Sequence, residues 1–268
     1  MESAGPRSPS ETLFGRHEFL IRRLHSLSGL IPVGAYMVVH LLTNASVLNG
    51  AETFQKQVDT IHSLGIVLPV VEWTFIFLPL LFHTLVGIWI IRSGHSNTSS
   101  YPLNKNFRYT LQRATGMIAM VFILYHVLQL HWMGTPLGGG KFDPHHATSS
   151  AAGTIQSAVW IPIVYAVGVL ACVYHLANGL WTMGITWGVW TTPSAQRRAD
   201  YVCIAFGIGL ALVGLSALFG MATLDVTAAQ SYERVLEEER KAREEKIRQQ
   251  GGSVPTGVVE TPPPPAAP

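Results

Sequence analysis

The sequence has few charged residues. Only 13% of its 268 residues are Asp, Glu, Lys or Arg, whereas 48% are hydrophobic. A soluble domain usually carries about a quarter charged residues. The charges cluster towards both ends and in short stretches near 92–113 and 197–200. The net charge of +2 is too small to indicate a nucleic-acid partner. This composition argues against an ordinary soluble domain and indicates a protein embedded in a lipid bilayer.

Cysteine is scarce as well. Cys172 and Cys203 both lie in apolar runs, and neither belongs to a CxxC or CxxCH motif. Their spacing argues against a zinc ribbon, thioredoxin chemistry and covalently attached haem. We expect both residues to be small buried apolar side chains.

Five apolar segments are long enough to cross a bilayer, which takes about 20 residues of helix. They cover approximately 27–48, 67–91, 114–133, 159–187 and 201–224. The first is too long for the apolar part of a signal peptide. The fourth is too short for two spans, so we interpret it as one helix that is tilted or projects from the bilayer. The sequence therefore predicts an all-α membrane protein with five transmembrane helices.

The basic residues that flank these segments predict the orientation, because they favour the cytoplasmic side. Ten of them precede the first segment or follow the second and fourth, whereas the opposite loops contain only Lys56 and Lys141. We expect a cytoplasmic N-terminal segment (1–23), a five-span domain (24–225) and a C-terminal region (226–268) outside.

The C-terminal region has two parts. In ERVLEEERKAREEKIRQQ (233–250), Glu237 and Glu239 precede Lys241 and Arg243 by four residues, which is typical of an exposed polar helix. The Pro-rich end, PTGVVETPPPPAAP, is predicted to be disordered or polyproline-like. We expect the whole tail to be solvated, to carry no chemistry and to be dispensable for assembly.

Four of the eleven histidines lie inside the apolar segments, one in each of the first four: His40, His83, His126 and His175. Ionisable residues within a membrane are costly and usually serve a function. With a rise of about 1.5 Å per residue from the flanking basic residues, His40 and His126 fall in the outer half of the bilayer. His83 and His175 fall in the inner half. A lone histidine is as well explained by an interhelical hydrogen bond, but these four form two pairs matched in depth.

Two histidines that face each other at one depth can bind both axial positions of a haem iron. Zinc is the competing metal, but these histidines lack the acidic or thiol partners that complete a four-ligand site. We therefore predict two b-type haems in a four-helix bundle, with one further helix beside it, and an electron path across the membrane.

Four stretches carry a resemblance to a known family. They are FLIRRLHSLSGLIPVG (19–34), FLPLLFHTLVG (77–87), LQRATG (111–116) with the following YHV (125–127), and YHLANGLWTMGITWG (174–188). They closely resemble the cytochrome b membrane anchor of succinate dehydrogenase, in its single-chain, five-span, two-haem form from bacteria that use menaquinone. The resemblance covers about residues 16–222 and keeps the order of the motifs. It implies that the four histidines are axial ligands, with His40 and His126 at an outer haem and His83 and His175 at an inner one.

The resemblance also implies partners and a location. A flavoprotein subunit that oxidises succinate and an iron–sulfur subunit would dock on the cytoplasmic face of a bacterial cytoplasmic membrane. Electrons would enter at the inner haem and leave to menaquinone, and this chain would have no dicarboxylate site of its own. Fumarate reductase is the same machine run backwards, and the sequence leaves the direction open.

Further polar residues are candidates for the quinone and for the haem propionates. Glu72 lies at the outer end of the second segment and is predicted to carry protons at an outer quinone site, with a hydrated helix end as the alternative. Arg113, Gln112 and Arg23 lie on the cytoplasmic side and are candidates for binding the propionates, although arginines in such positions also act as topology anchors.

Two other functions remain open at this point. The chain is alternatively a two-haem cytochrome b of another membrane dehydrogenase, against which the RRLHS and HxxNGxW motifs argue. It is also alternatively a haem-free transporter that uses its histidines as a proton relay. An absorption spectrum separates the transporter from the cytochromes.

Overall fold

Every regular element that the computed structural model describes is helical, over residues 17–93 and 104–250. Five helical stretches in these ranges are long and apolar enough to cross a membrane. We number them spans 1 to 5: Glu18–Asn49, Val67–Ser93, Asn106–Met133, Trp160–Thr186 and Pro193–Thr223. The prediction of an all-α membrane protein with five transmembrane helices is confirmed.

Span 1 is interrupted near its middle. It contains α1 (Glu18–Leu30) and α2 (Val33–Ala45), which meet at Ile31 and Pro32. Proline has no backbone N–H and clashes with the preceding turn, so a helix rarely continues through it unchanged. The N–H of Ile31 donates to the carbonyl of Leu27 at 2.8 Å and closes the end of α1.

Spans 2 and 3 each contain one π-helical segment. Span 2 consists of α4 (Val67–Glu72), the π segment Trp73–Phe77 and α5 (Leu78–Ser93). Span 3 consists of α6 (Asn104–Val127) and the π segment Leu128–Met133. π-helical turns are rare in proteins. Those that do occur often lie at functional sites.

The remaining helices are regular. Span 4 is the single helix α8 (Trp160–Thr186), as the interpretation of the fourth segment requires, and span 5 is α9 (Pro193–Thr223). Within the described residues, three further α-helices lie outside the spans: α3 (Ala51–His62), α7 (Ala147–Gln156) and α10 (Val226–Gln249). α3 and α7 were not predicted from the sequence, because short helices in polar loops lack a long apolar run.

Spans 3 and 5 begin earlier than the apolar segments indicate. α6 begins at Asn104 and α9 at Pro193, where the side chain of Thr192 accepts a hydrogen bond from the N–H of Ala195. Proline suits the first helical position because its missing N–H has no intrahelical partner there. These polar extensions lie on the side that carries the arginines.

The spans pack around span 4. It lies along spans 3 and 5, while α1 packs against α5 and α2 packs against span 5. Leu41, Val173 and Leu210 form a buried cluster that joins spans 1, 4 and 5. Cys203 of span 5 is buried and Cys172 of span 4 is half-buried, both as free thiols. Span 5 carries no histidine and lies beside the other four helices.

Large apolar side chains cover the outside of the spans. Val39, Leu124, Ile163 and Ile208 are each more than half exposed. Contact with water costs roughly 25 cal/mol for each Å² of apolar surface, so such a belt is stable only in lipid. The chain is therefore a multi-pass membrane protein.

The three helices outside the spans form a layer at one end of the molecule. Its core joins Val47, Phe54, Ala147, Ile155 and Met221, which come from the ends of spans 1 and 5, from α3 and from α7. By the predicted orientation, this is the outer end.

The expectation of a fully solvated tail is wrong for α10. This helix exists as predicted, but Ala229, Glu233 and Leu236 on one of its faces are buried. Arg240 forms an ion pair with Asp59 of α3 at 3.2 Å. A charge-rich helix can pack through one face when its few buried residues all lie on that face. In α10, the buried residues are spaced by four and then three positions, which places them on one face of the helix. The Pro-rich end lies outside the described residues, as do residues 1–16.

Candidate functional site

The four histidines of the spans form two close pairs. The ring centroids of His40 and His126 are 5.8 Å apart, and those of His83 and His175 are 6.0 Å apart. A bond from imidazole nitrogen to a metal is about 2 Å long, so two rings on opposite sides of one metal ion have centroids about 6 Å apart. The structure thus brings together the two pairs that the predicted depths match, at a spacing that fits one metal per pair.

The inner pair has a defined tautomer on both rings. The Nδ1 atom of His83 lies 2.9 Å from the carbonyl of His25, and the Nδ1 atom of His175 lies 3.0 Å from the carbonyl of Gln112. A carbonyl oxygen only accepts hydrogen bonds, so each Nδ1 carries the proton. In a neutral imidazole, Nε2 then keeps a free lone pair, as a metal ligand requires.

The outer pair makes different contacts. The Nδ1 atom of His126 lies 3.2 Å from the hydroxyl of Tyr165. The Nδ2 atom of Asn44 donates to the carbonyl of His40 at 2.8 Å, which fixes the orientation of the amide, and it lies 3.4 Å from Nε2 of the same histidine. An N–H beside Nε2 requires Nε2 to be an acceptor.

Two glycines leave the space that the inner imidazoles occupy. A Cβ atom on Gly29 would overlap the ring of His83, and one on Gly116 would lie 2.8 Å from Cε1 of His175. Other glycines of the spans serve ordinary packing, since Gly168 admits the ring of Phe122. The glycines at the inner pair therefore have a direct connection with the site.

Gln112 is part of a hydrogen-bonded network beside the inner pair. Its Nε2 donates to the carbonyl of His175 at 3.0 Å, and its Oε1 accepts from Asn178 at 2.7 Å. Arg108 donates to Asn178 at 2.9 Å and to Asp200 at 2.7 Å. This network ties spans 3, 4 and 5 together and holds the backbone around His175.

The two arginines predicted to bind propionates lie on the same side of the molecule. Arg113 donates to the carbonyl of Ile90 at 3.1 Å, and its guanidinium lies 4.3 Å from the ring centroid of Tyr109. Arg23 lies over the ring of Trp187 at 5.4 Å. The structure thus places both near the ends of the spans, among aromatic rings that stabilise a cation.

Glu72 lies close to the outer pair. It interacts electrostatically with Tyr36, whose ring centroid lies 5.5 Å from that of His40. The carboxylate is half-buried and directly precedes the π segment Trp73–Phe77.

Aromatic rings from the two π segments meet at this end. The ring of Phe77 lies 6.1 Å from that of His131 and 6.0 Å from that of Trp132, with which it is stacked. Trp73 packs against Phe77 at 5.2 Å. An apolar aromatic cluster with a carboxylate at its edge is suited to a flat, partly polar ring.

Three residues of the site were missed by the sequence analysis. The ring of His25 stacks on that of His83 at 4.0 Å. Tyr165 and Gln129 were not considered at all. Their only sequence signal is the polar side chain in an apolar run, which also fits any interhelical hydrogen bond.

These features define a helical membrane protein with two paired-histidine sites inside one bundle. No family model matches the chain. Over 205 residues, the chain is 36% identical to the succinate dehydrogenase cytochrome b558 subunit of Bacillus subtilis (strain 168), and the match covers 76% of this chain and 98% of that protein. The chain therefore belongs to the family of succinate dehydrogenase cytochrome b subunits. The family predicted from the sequence motifs is confirmed.

Proposed function

We propose that this chain is the cytochrome b membrane anchor of a succinate:quinone oxidoreductase and that it holds two b-type haems. The relative is named as a cytochrome b558 subunit of succinate dehydrogenase. The observation that carries the proposal is the set of two histidine pairs, with ring centroids 5.8 and 6.0 Å apart. At the inner pair, both Nδ1 atoms donate to carbonyls and leave Nε2 free to bind a metal. A haem at each pair would accept and release single electrons.

The residues around the pairs have distinct roles in this proposal. His40 and His126 bind the outer haem iron, and His83 and His175 bind the inner one. Partners of the distal ring nitrogen orient an imidazole and raise its basicity, so the backbone around His25 and Gln112 positions the inner ligands. Arg113 and Arg23 are the proposed partners of the propionates, because guanidinium pairs strongly with carboxylates.

The proposed partners follow from the family and from the orientation. An iron–sulfur subunit and a flavoprotein subunit would dock on the cytoplasmic side, where the arginine-flanked ends of the spans lie. Electrons would then enter at the inner pair. The membrane would be the cytoplasmic membrane of a bacterium, with the N-terminus inside and the C-terminus outside.

The outer end is the proposed site of quinone reduction. The cluster of Trp73, Phe77 and Trp132 supplies an apolar surface for a quinone ring, and menaquinone is the type that the resemblance implies. Reduction of a quinone consumes two protons. Glu72 is the proposed carrier, since its charge acts on Tyr36, whose ring centroid lies 5.5 Å from that of His40.

Haem content tests the proposal directly. Pyridine haemochrome analysis of the purified complex should give close to two b-type haems for each chain. A value near one or zero would contradict it. Copurification with a flavoprotein and an iron–sulfur protein tests the assembly, and their absence would point to another dehydrogenase.

The order of the two haems is tested by removing one ligand at a time. His126→Leu should lose the outer haem and keep an inner haem that succinate reduces. His175→Leu should block entry, so that any outer haem is reduced by dithionite but not by succinate. Low-temperature spectra distinguish these states. The proposed order is wrong if the variant at His126, and not the one at His175, loses all haem that succinate reduces.

A further inference from the structure

The outer ligand His126 begins a chain of three hydrogen bonds that runs through the side chains of Tyr165 and Gln129 to a backbone carbonyl. Its Nδ1 atom contacts the hydroxyl of Tyr165 at 3.2 Å, and that hydroxyl contacts Oε1 of Gln129 at 2.7 Å. The Nε2 atom of Gln129 then contacts the carbonyl of Gly138 at 2.7 Å. Gln129 is fully buried and Tyr165 is 7% exposed.

The direction of every bond in this chain follows from its last member. The carbonyl of Gly138 only accepts, so the amide nitrogen of Gln129 faces it and the amide oxygen faces Tyr165. The hydroxyl must therefore donate its single proton to Gln129. Towards His126 the hydroxyl oxygen is left as an acceptor, so Nδ1 carries the proton.

The ring of Tyr165 is fixed as well as its hydroxyl. It packs edge-on against Phe122 at 5.3 Å and against His126 at 5.5 Å. Phe122 itself reaches this position because Gly168 has no side chain. The phenol is thus held in one orientation by packing, which preorganises the hydrogen bond to the imidazole.

We propose that Tyr165 and Gln129 are positioning residues that set the tautomer and the donor strength of His126, and thereby the potential of the outer haem. The proposal rests on the proposed function of the histidine pairs. An acceptor at Nδ1 raises the basicity of the imidazole, and second-shell hydrogen bonding is one of the levers that tune a haem potential. A more basic ligand favours the ferric form. Because Tyr165 also donates to Gln129, its oxygen is a polarised acceptor.

The test compares Tyr165→Phe with Tyr125→Phe in the purified complex. Tyr125 is a matched control, since its hydroxyl donates to the carbonyl of Leu137 in the same loop and its ring packs against Tyr165. Potentiometric titration gives the midpoint potentials of both haems, and the outer haem is the one that His126→Leu removes. We expect the outer potential to rise in Tyr165→Phe and both potentials to stay unchanged in Tyr125→Phe.

The expected size follows from the loss of one second-shell partner, which changes metal affinity about 10–100-fold. If the ferric form loses about tenfold more affinity than the ferrous form, the potential rises by about 59 mV. Gln129→Leu is a second variant that keeps the phenol oxygen as an acceptor but removes its polarisation. It should move the outer potential in the same direction by a smaller amount.

Each outcome is decisive. Loss of the outer haem in Tyr165→Phe with retention in Tyr125→Phe also supports the proposal, because the hydroxyl is then needed to hold the ligand. An unchanged outer potential in Tyr165→Phe, or equal changes in both tyrosine variants, overturns it. A wild-type complex without two haems instead refutes the proposed function, so the two failures are distinguishable.

Discussion

The buried carboxylate of Glu233 determines how firmly the C-terminal helix α10 is attached. Its Oε1 atom accepts hydrogen bonds from the N–H groups of Thr148 at 2.9 Å and Ser149 at 3.0 Å, at the start of α7. These N–H groups have no partner within their own helix. We predict that Glu233→Ala detaches α10 from the outer layer, because it leaves both N–H groups buried and unpaired.

The magnitude follows from the contacts. Two hydrogen bonds to a charged group contribute about 3–6 kcal/mol together. The Oε2 atom of Glu233 is buried with no hydrogen-bond partner among the described residues, and burying such an atom costs about 1–3 kcal/mol. The middle values of these two ranges differ by about 2.5 kcal/mol, which is the net loss expected in Glu233→Ala. Since about 1.4 kcal/mol corresponds to a factor of ten, the docked helix should open about 60-fold more often.

Amide hydrogen exchange measures this opening at α7. The protection of Thr148 and Ser149 should fall by that factor in Glu233→Ala. Glu244→Ala is the matched control, because Glu244 is exposed on the same helix. Glu233→Gln should fall between them, since it keeps one acceptor oxygen. Unchanged protection in Glu233→Ala, or an equal loss in the control, would refute the reasoning.

Three further predictions concern other parts of the molecule. Gly116→Ala should lower haem content by about one haem per chain, because its Cβ meets the inner imidazole at 2.8 Å. Gly209→Ala, with open space around it, should leave both haems. The hydrogen bond with Asp143 raises the pKa of His146. The stabilisation by protonated His146 is therefore fully present below the ordinary histidine pKa and is lost as pH rises through the raised pKa. The ring of His146 lies 3.5 Å from Glu237 of α10, so proteolysis of α10 should be slower at about pH 6 than at about pH 8.5. Glu72→Gln should slow quinone reduction at least tenfold while succinate still reduces both haems, and an unchanged rate would exclude Glu72 as the carrier.

The spans and the histidine pairs could be predicted from the sequence because each has a strong local signal. An uninterrupted apolar run has to be buried in lipid, and a histidine within it is costly enough to indicate a function. The ends of the helices were less accessible. α6 and α9 extend into polar sequence, where Arg108 and Asp200 form an ion pair at 2.7 Å between spans 3 and 5. The sequence around Arg108 and Asp200 contains no pattern that predicts this ion pair.

The partners of the ligands were inaccessible for a different reason. Tyr165 is 39 residues from His126 in the sequence, and its hydroxyl reaches the imidazole only because spans 3 and 4 pack side by side. His25 lies in the first helix of span 1, and this position in the sequence says nothing about the ring against which it stacks. Both contacts depend on how one helix packs against another. The periodicity within a single helix does not predict that packing.

The packing of α10 is connected through further contacts with the outer histidine pair. Glu233 holds the start of α7, and Thr154 near the other end of α7 exchanges two hydrogen bonds with Gly140, each 3.0 Å long. The same loop supplies the carbonyl of Gly138, which fixes the amide of Gln129. The C-terminal helix is therefore joined through α7 and one loop to the hydrogen bonds that orient the outer ligand. Because α10 lies beyond the residues that carry the family resemblance, it adds a support for the outer site to a bundle whose histidine pairs are built from spans 1 to 4.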